Sequence, residues 1–459
     1  MKKIIIGGTH SGCGKTTITC AILAALKARE MSISAFKCGP DYIDPMFHRT
    51  VIGTGAYNLD SFFCDDDTLR YLLCKNSAKS DISVIEGVMG YYDGAVGGRG
   101  SAHSVSLVTN TPAIIVIDCK GMSESIGAFM KGFLEYQRPN RIIGFIFNRL
   151  PERLADLAKE KCDEFGVRFF GSFPTNPWCI ESRRLGLVTA AEISDIKAKL
   201  SELGRLAEEN ILLDDIIKCS ESEMPQYTPK EVHRLSYGGR PPKIAVAADN
   251  AFCFTYSDNI ELLEKLGCEI EYFSPLNDEK LPHECCGIIL SGGYPELYAE
   301  KLSENRRMCD AVKDAVLRGV PTIAECGGFM YLHEKLVDSD GTEYTLAGAL
   351  SGKVFSTERL QRFGYVTMTA QTDNILCERN GAVKAHEFHY WDSSDCGEDF
   401  IARKADGREW KCVHADNTLY AGFPHLYFYS DINMAERFVR ACAEFGEKYG
   451  QNKTDSTNG

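Results

Sequence analysis

The chain opens with an apolar run, Lys3–Ile6, then a glycine-rich turn, then apolar positions at helical spacing over Thr16–Arg29. A short apolar run bounded by glycine reads as a buried strand, and a 3.6-residue period reads as a helix. The alternation continues. Ser32–Lys37, Ile82–Glu86, Ala113–Asp118 and Ile142–Asn148 predict strands, Arg153–Phe165 a helix, and Val167–Phe170 another short strand. Strands that are apolar throughout, spaced by helices, predict a doubly wound, mostly parallel α/β sheet over roughly the first 195 residues. Ile193–Ser220 is polar with periodic Leu and Ile, which predicts a helix.

Met224–Lys243 breaks this pattern with Pro, Gly, Tyr and charge, and reads as a linker. A second βα series follows. Lys243–Ala248 and Glu269–Phe273 predict strands around a helix at Ser257–Leu266, and Gly287–Leu290 and Thr322–Ala324 predict further strands. The stretch 335–440 is richer in strand-like segments. The expected organisation is a first α/β domain over 1–223, a linker over 224–242, a second α/β domain over 243–449 and a disordered tail over 450–459.

Composition narrows the class. With 459 residues, 44% hydrophobic and 25% charged, the chain is an ordinary globular protein rather than a disordered or low-complexity one. The net charge of −13 argues against nucleic acid as a partner, so any anion site is built locally. No apolar run approaches the ~18 residues of a membrane span, and no membrane partner is expected. Three isoleucines near the start are too few for a secretory leader. The 19 cysteines are scattered and odd in number, without a CxxC pair, which fits free thiols in a reducing cytoplasm.

The turn after the first strand reads Gly8-Thr9-His10-Ser11-Gly12-Cys13-Gly14-Lys15-Thr16-Thr17. Between a strand and a helix this is a phosphate-binding loop: Gly12 and Gly14 let backbone N–H groups converge on phosphate, Lys15 reaches the β- and γ-phosphates, and Thr16 meets Mg²⁺. Gly8 and Gly14 enclose five residues where the common motif has four, and Thr9 stands at the strict first-glycine position. Two acidic segments complete the expected metal site. Asp41 and Asp44 lie in the Pro-Asp-Tyr-Ile-Asp-Pro loop after the second strand, where they serve as ligands or as turn formers. Glu86 ends an apolar strand. Thr16, Asp41 and Glu86 offer the hard oxygens that Mg²⁺ prefers. Asn148, ending another strand, is a candidate contact for an adenine edge or a turn former. Gly97–Ser101 reads as a loop that closes over a ligand or as plain loop.

A second site is expected at Glu325-Cys326-Gly327-Gly328. A strand running into small-Xaa-Cys-Xaa-Gly resembles a nucleophile elbow, in which the N–H of Gly327 faces the acyl oxygen. The turn Ser291-Gly292-Gly293 after another strand offers further oxyanion donors. A cysteine nucleophile needs a base, and His425, His386 and His389 are all candidates that spacing alone does not separate. His386 and His389 flank Glu387, which also permits a metal reading.

The loop spacing resembles that of dethiobiotin synthetase. The chain lacks the extra early lysine that partitioning switch ATPases carry. Taken with Lys37–Pro45, Glu86–Gly94, Arg183–Leu187, Ala247–Phe252, Phe273–Leu276, Ser291–Glu296, Glu325–Gly328 and His386–Tyr390, the whole chain resembles the cobyrinic acid a,c-diamide synthase family. That resemblance implies a dethiobiotin-synthetase-like P-loop domain followed by a glutamine amidotransferase domain. It implies ATP and Mg²⁺ as cofactors, and cobyrinic acid or a related tetrapyrrole and glutamine as partners. A monomer or homodimer is expected. It makes Asp41, Asp44, Glu86 and Asp93 the functional carboxylates, Tyr42 and Ile43 substrate-positioning residues, and Cys326 with His425 the glutaminase pair without a third acid, beside the candidate nucleotide contacts Gly12, Gly14, Lys15, Thr16, Thr17 and Asn148 read above from the loop and the strand end. Two positions depart from the family pattern, Arg184 and Tyr427, where relatives carry histidine. The neighbouring readings are the same chemistry on nickel-sirohydrochlorin, cobyric acid synthase, and a regulatory ATPase switch with a degenerate amidotransferase domain.

Overall fold

The computed structural model describes residues 1–95, 97–176, 190–228, 231–236 and 240–455, with 190–194 and 449–455 described by backbone alone. The chain divides into two compact units, Met1–Lys230 and Glu231–Gly459, and this division falls inside the stretch expected as a linker. Among the described residues no helix is long and apolar enough to cross a membrane.

The strands of the first unit are β1 (Lys3–Gly8), β2 (Ile33–Cys38), β3 (Gly55–Leu59), β4 (Ile82–Glu86), β5 (Ala113–Asp118), β6 (Ile142–Asn148) and β7 (Arg168–Phe173). They pair in parallel in the order β3-β2-β4-β1-β5-β6-β7. Every residue of β1, β2 and β4 is buried, which is why these strands read as unbroken apolar runs. The winding reverses beside β1, and ligands of such sheets bind at the carboxyl ends of the strands at that reversal.

Three features differ from the pattern reading. Strand β3 went unseen, because Gly-Ala-Tyr-Asn-Leu is short and led by glycine. The helix expected over 193–220 is two, Ala190–Asn210 and Leu213–Cys219. The break has a cause: Leu212 N donates to Phe170 O (2.9 Å) and Ile211 bridges Gly171, so the chain pairs briefly with β7. The segment Arg183–Leu187 lies outside the described residues.

The second unit contains β8 (Lys243–Ala247), β9 (Glu269–Phe273), β10 (Gly287–Leu290), β11 (Thr322–Glu325), β12 (His333–Val337), β13 (Glu343–Thr345), β14 (Leu350–Ala370), β15 (Ala382–Ser393), β16 (Phe400–Arg403), β17 (Glu409–Cys412), β18 (His414–Ala415), β19 (Leu419–Gly422) and β20 (His425–Leu426). One sheet has the order β18-β19-β11-β10-β8-β9 and is parallel except for β18. The other, β13-β12-β14-β15-β20 with β16 and β17 beside β14, is mostly antiparallel and accounts for the strand-rich stretch. The last helix, Ile432–Asp455, extends into the segment expected as a tail, so 450–455 are helical.

Candidate active sites

The loop leaving β1 enters the helix Lys15–Ala28 through two left-handed glycines, Gly12 at φ 81° and Gly14 at φ 97°. Gly14 is fixed by packing as well, since a Cβ there would lie 2.2 Å from Asn148 Nδ2. A glycine turn at a helix N-terminus gathers N–H donors and the positive dipole end for an anion. Lys15 is buried and donates to His10 O (3.1 Å), and burial, reinforced by Lys37, holds its ammonium below the usual lysine range. Thr16 and Thr17 stand in the first helical turn. The Thr16 hydroxyl donates to Glu86 Oε1 at 2.5 Å, joining the carboxyl end of β4 to the loop. Asn148, at the end of β6, donates Nδ2 to Cys13 O (2.9 Å). One of its two N–H donors therefore braces the loop, leaving the other and the oxygen for an adenine edge.

Lys37, near the end of β2, is buried among carboxylates. Its ammonium donates to Asp44 Oδ2 and to Glu86 Oε1 (2.9 Å), with Asp41 Oδ2 at 3.9 Å. Burial opposes its charge, but Asp44, Glu86 and Asp41 outweigh that and hold Lys37 well above the usual lysine range. Glu86 is fully buried and its carboxyl is pushed up, by desolvation first and Asp44 next, against the pull of Lys37. Asp41 is pushed up to about 7 by desolvation and then by Asp44. Its Oδ1 accepts from Ile43 N (2.9 Å), so it also caps the short helix Ile43–Phe47, with the buried Tyr42 just before it. His48 follows in a π-helical turn, Nε2 3.8 Å from Glu86 Oε2, and burial lowers it to about 4, leaving it neutral. π-Helical turns concentrate at functional sites.

These positions bear on the expected Mg²⁺ site. Thr16 and Glu86 come together beside the phosphate loop, and Glu86 Oε2 is buried without a hydrogen-bond partner, His48 Nε2 being 3.8 Å away. Asp41 and Glu86 both face the Lys37 ammonium, at 3.9 Å and 2.9 Å, so a cation of the chain itself already sits among these carboxylates. Among the described residues no three His, Cys, Asp or Glu side chains form a metal cage. One carboxylate, one hydroxyl, substrate phosphates and water fit the habits of Mg²⁺. Asp93 lies in the segment that follows β4. Its Oδ2 accepts from Gly90 N (2.8 Å), and it lines a cleft of about 570 Å³ with Thr9, Tyr92, Phe129 and Phe133. In the Gly97–Ser101 segment, Arg99 donates to Ser61 O (2.9 Å), tying the loop down.

In the second unit Cys326 follows β11 at φ 47°, ψ −101°, and opens the helix Gly327–Leu332. A non-glycine residue in this region is strained, as at a nucleophile elbow. The glycine turn after β10 packs against it: a Cβ on Gly327 would lie 3.0 Å from Gly293 N, and one on Gly292 would lie 2.5 Å from His425 Cε1. Nucleophile, oxyanion turn and histidine thus converge, and only glycine permits the approach. His425 is buried and hydrogen-bonded to Cys326. Burial opposes its charge, but Cys326 and Glu325 outweigh it and hold the imidazole above its usual range. The rival histidines stand in different settings. His386 is pushed down to about 3 by burial. His389 stacks on Phe423 at 3.9 Å between ring centres and binds Glu387 at 3.0 Å.

A family model described as the CobQ/CobB/MinD/ParA nucleotide binding domain matches residues 4–184, and one described as the CobB/CobQ-like glutamine amidotransferase domain matches 243–432. The cobyrinate a,c-diamide synthase of Caldanaerobacter subterraneus subsp. tengcongensis is 36% identical over 451 residues, covering 97% of this chain and 99% of its own. That of Priestia megaterium is 35% identical (96% and 97% covered), and that of Thermoplasma volcanium 37% (97% and 98%). The chain belongs to the cobyrinate a,c-diamide synthase family. As a member of that family it carries a P-loop nucleotide-binding domain and a glutamine amidotransferase domain, in the order the motifs predict.

Three residues of this synthase-family chain escaped the sequence reading. Lys37 opens the Lys37–Pro45 motif, and the motif alone gives it no role. Its signal was a lysine between Phe36 and Cys38 in an apolar strand, since a buried lysine requires carboxylates. His48 carried no local signal. Glu325 was read as part of the elbow motif, yet its Oε2 lies 3.3 Å from His425 Nδ1.

Proposed function

We propose that this chain uses ATP and glutamine to convert the c and then the a acetate carboxyl of cobyrinic acid to amides. The observation that carries the reading is that one chain, aligned nearly end to end with synthases, holds both a phosphate loop tied to a buried carboxylate and a Cys–His elbow. The first unit phosphorylates the substrate carboxylate: carboxylate oxygen attacks the γ-phosphorus, the bond to ADP breaks, and an acyl phosphate forms. Lys15 and the loop N–H groups hold phosphate oxygens, and Lys37 supplies a permanent cation beside Glu86. Thr16 and Glu86 would hold Mg²⁺, which neutralises phosphate charge. Ammonia then attacks the acyl carbon and phosphate leaves.

The second unit supplies the ammonia. The Cys326 thiolate attacks the glutamine side-chain carbonyl, the C–N bond breaks, and His425 gives a proton to the departing nitrogen. Water, deprotonated by His425, hydrolyses the thioester to glutamate. Gly327 and the Gly292–Gly293 turn face the oxyanion. The intact Cys326–His425 pair opposes a regulatory switch with a degenerate second domain.

The test is mass spectrometry of cobyrinic acid incubated with ATP, Mg²⁺, glutamine and the chain. An acid-to-amide mass change at each of two carboxyls is expected. No change on cobyrinic acid with the same change on nickel-sirohydrochlorin would replace the substrate. No change on either would overturn the reading.

A further inference from the structure

We infer that Glu325, the residue immediately before the nucleophile, orients His425 and stabilises its charged form. The inference rests on the glutaminase reading above. It replaces the expectation of a Cys–His pair without an acid.

Neighbouring residues of a strand ordinarily point to opposite faces. The left-handed backbone at Cys326 breaks that alternation at the end of β11, so two consecutive side chains both reach His425. Glu325 is 8% exposed, and its two oxygens grip one neighbourhood. Oε2 lies 3.3 Å from His425 Nδ1, while Oε1 accepts from Leu426 N at 3.2 Å. The carboxylate therefore fixes both the ring and the backbone beside it. A hydrogen on Nδ1 directed at Glu325 leaves Nε2 for the thiol. Among the described residues Glu325 has no Lys or Arg partner, so its buried charge is balanced by the imidazole.

Among the described residues, three titratable groups bear on this pair. Cys326 comes from the elbow, His386 stands opposite His425 in register on β15, and Tyr420 on β19 faces Glu325. His386 stays neutral, and the Tyr420 hydroxyl is pushed well up by burial and then by Glu325, so neither supplies a competing charge near neutral pH. During the reaction the proton passes only between sulfur, His425 and the leaving nitrogen or water. Glu325 takes no part in that transfer and acts as a positioning residue. Orienting acids of this kind change rate far more than substrate affinity.

The experiment compares the full-length parent with Glu325→Gln and Glu325→Asp. It reads glutamate release, the melting curve, and the pH dependence of iodoacetamide labelling of Cys326, mapped by peptide. Glutamine at position 325 keeps an acceptor for Leu426 N–H but carries no charge. A fall in kcat on the order of 10²-fold is expected, with the glutamine KM within about threefold. Cys326 labelling near pH 7 slows by about tenfold, because the imidazolium that favours the thiolate is lost. Glu325→Asp keeps the charge and recovers labelling to within about threefold of the parent. Unchanged kcat with an unchanged labelling profile would overturn the inference, and so would a loss confined to KM. A parent that releases no glutamate would overturn the glutaminase reading alone, since labelling still decides whether Glu325 acts on His425. Should Glu325→Gln not fold, Glu325→Asp carries the comparison: a partial loss of kcat supports the role, and parental kcat overturns it.

Discussion

Both sites stand at the carboxyl ends of parallel strands, and they handle charge in opposite ways. In the first unit Lys37 meets Asp44, Glu86 and Asp41, with Lys15 close enough to be influenced by the cluster. In the second, one carboxylate and one imidazole flank the cysteine, and the Gly292–Gly293 and Gly327 backbone packs closely around them. The difference follows the substrates proposed for each. A phosphate chain and a carboxylate bring negative charge into a protein whose net charge is already −13, so cations must be built in and held charged. The reacting group of glutamine is a neutral amide. Its site needs a nucleophile, a proton carrier and donors aimed at a transient oxyanion, which packing alone can place.

That contrast breaks most sharply at Cys326. Replacing it with alanine removes the nucleophile, and glutamine-dependent amide formation should fall by more than about 10³-fold. Synthesis from added ammonia should survive, because the first unit is untouched. Loss of both activities would show that the two sites are not chemically separable.

Lys37→Met probes the charged site. It leaves Asp44 and Glu86 buried without their cation, a change that costs about 3–5 kcal/mol when one member of a buried pair is removed. Calorimetry should show a lower melting temperature at pH 8, with the deficit shrinking in acid as the carboxyls take up protons. Amide formation should fail with either nitrogen source. An unaltered melting curve would mean that the cluster is solvated. Gly14→Ala is milder. Its methyl group meets Asn148 Nδ2 at 2.2 Å, and its backbone is left-handed. ATP affinity, followed by titration calorimetry, should drop by about tenfold, while glutamate release without ATP stays at the parental level.

Much of this was legible in the chain itself. Apolar strands interrupted by Gly-Lys-Thr-Thr place the phosphate loop, because that function needs contiguous residues between a strand and a helix. Glu86 was legible for the same kind of reason: a carboxylate closing an apolar strand has few structural uses. The partners of these residues were less legible. Lys37 and Glu86 are adjacent because β2 pairs with β4 in register, and no local pattern reveals which strands neighbour each other. The choice of His425 over His386 depends on β20 lying beside the elbow, a hundred residues after it. Strand β3 and the break at Ile211 were hidden because tertiary pairing, rather than local propensity, sets them.

The smallest expected effect sharpens the comparison further, through the sign of a pH dependence. Asp41 is pushed up to about 7 from an ordinary 3.8. Between those values the folded chain holds a proton there that the unfolded chain has lost, so this group makes folding less favourable as pH rises from about 4 to 7. Above that range Asp41 is ionised beside Asp44 and Glu86, and the two lysines of the pocket no longer match its three carboxylates. Asp41→Asn removes the ionisation but keeps an oxygen for Ile43 N–H, so the cap on the short helix persists. The side chain is about a third exposed, and solvent screens part of the effect. The variant should melt higher than the parent at pH 8, by roughly 2–4 °C, with the gap closing toward pH 4. If Asp41 serves the substrate carboxylate or its phosphorylation, amide formation should fall in the same variant. A gain in stability with a loss of rate would mark a carboxylate retained for chemistry at the expense of folding. A loss of both would instead mean that the Asp41 charge stabilises the fold through Lys37, 3.9 Å away, and the stability half of this prediction would fail.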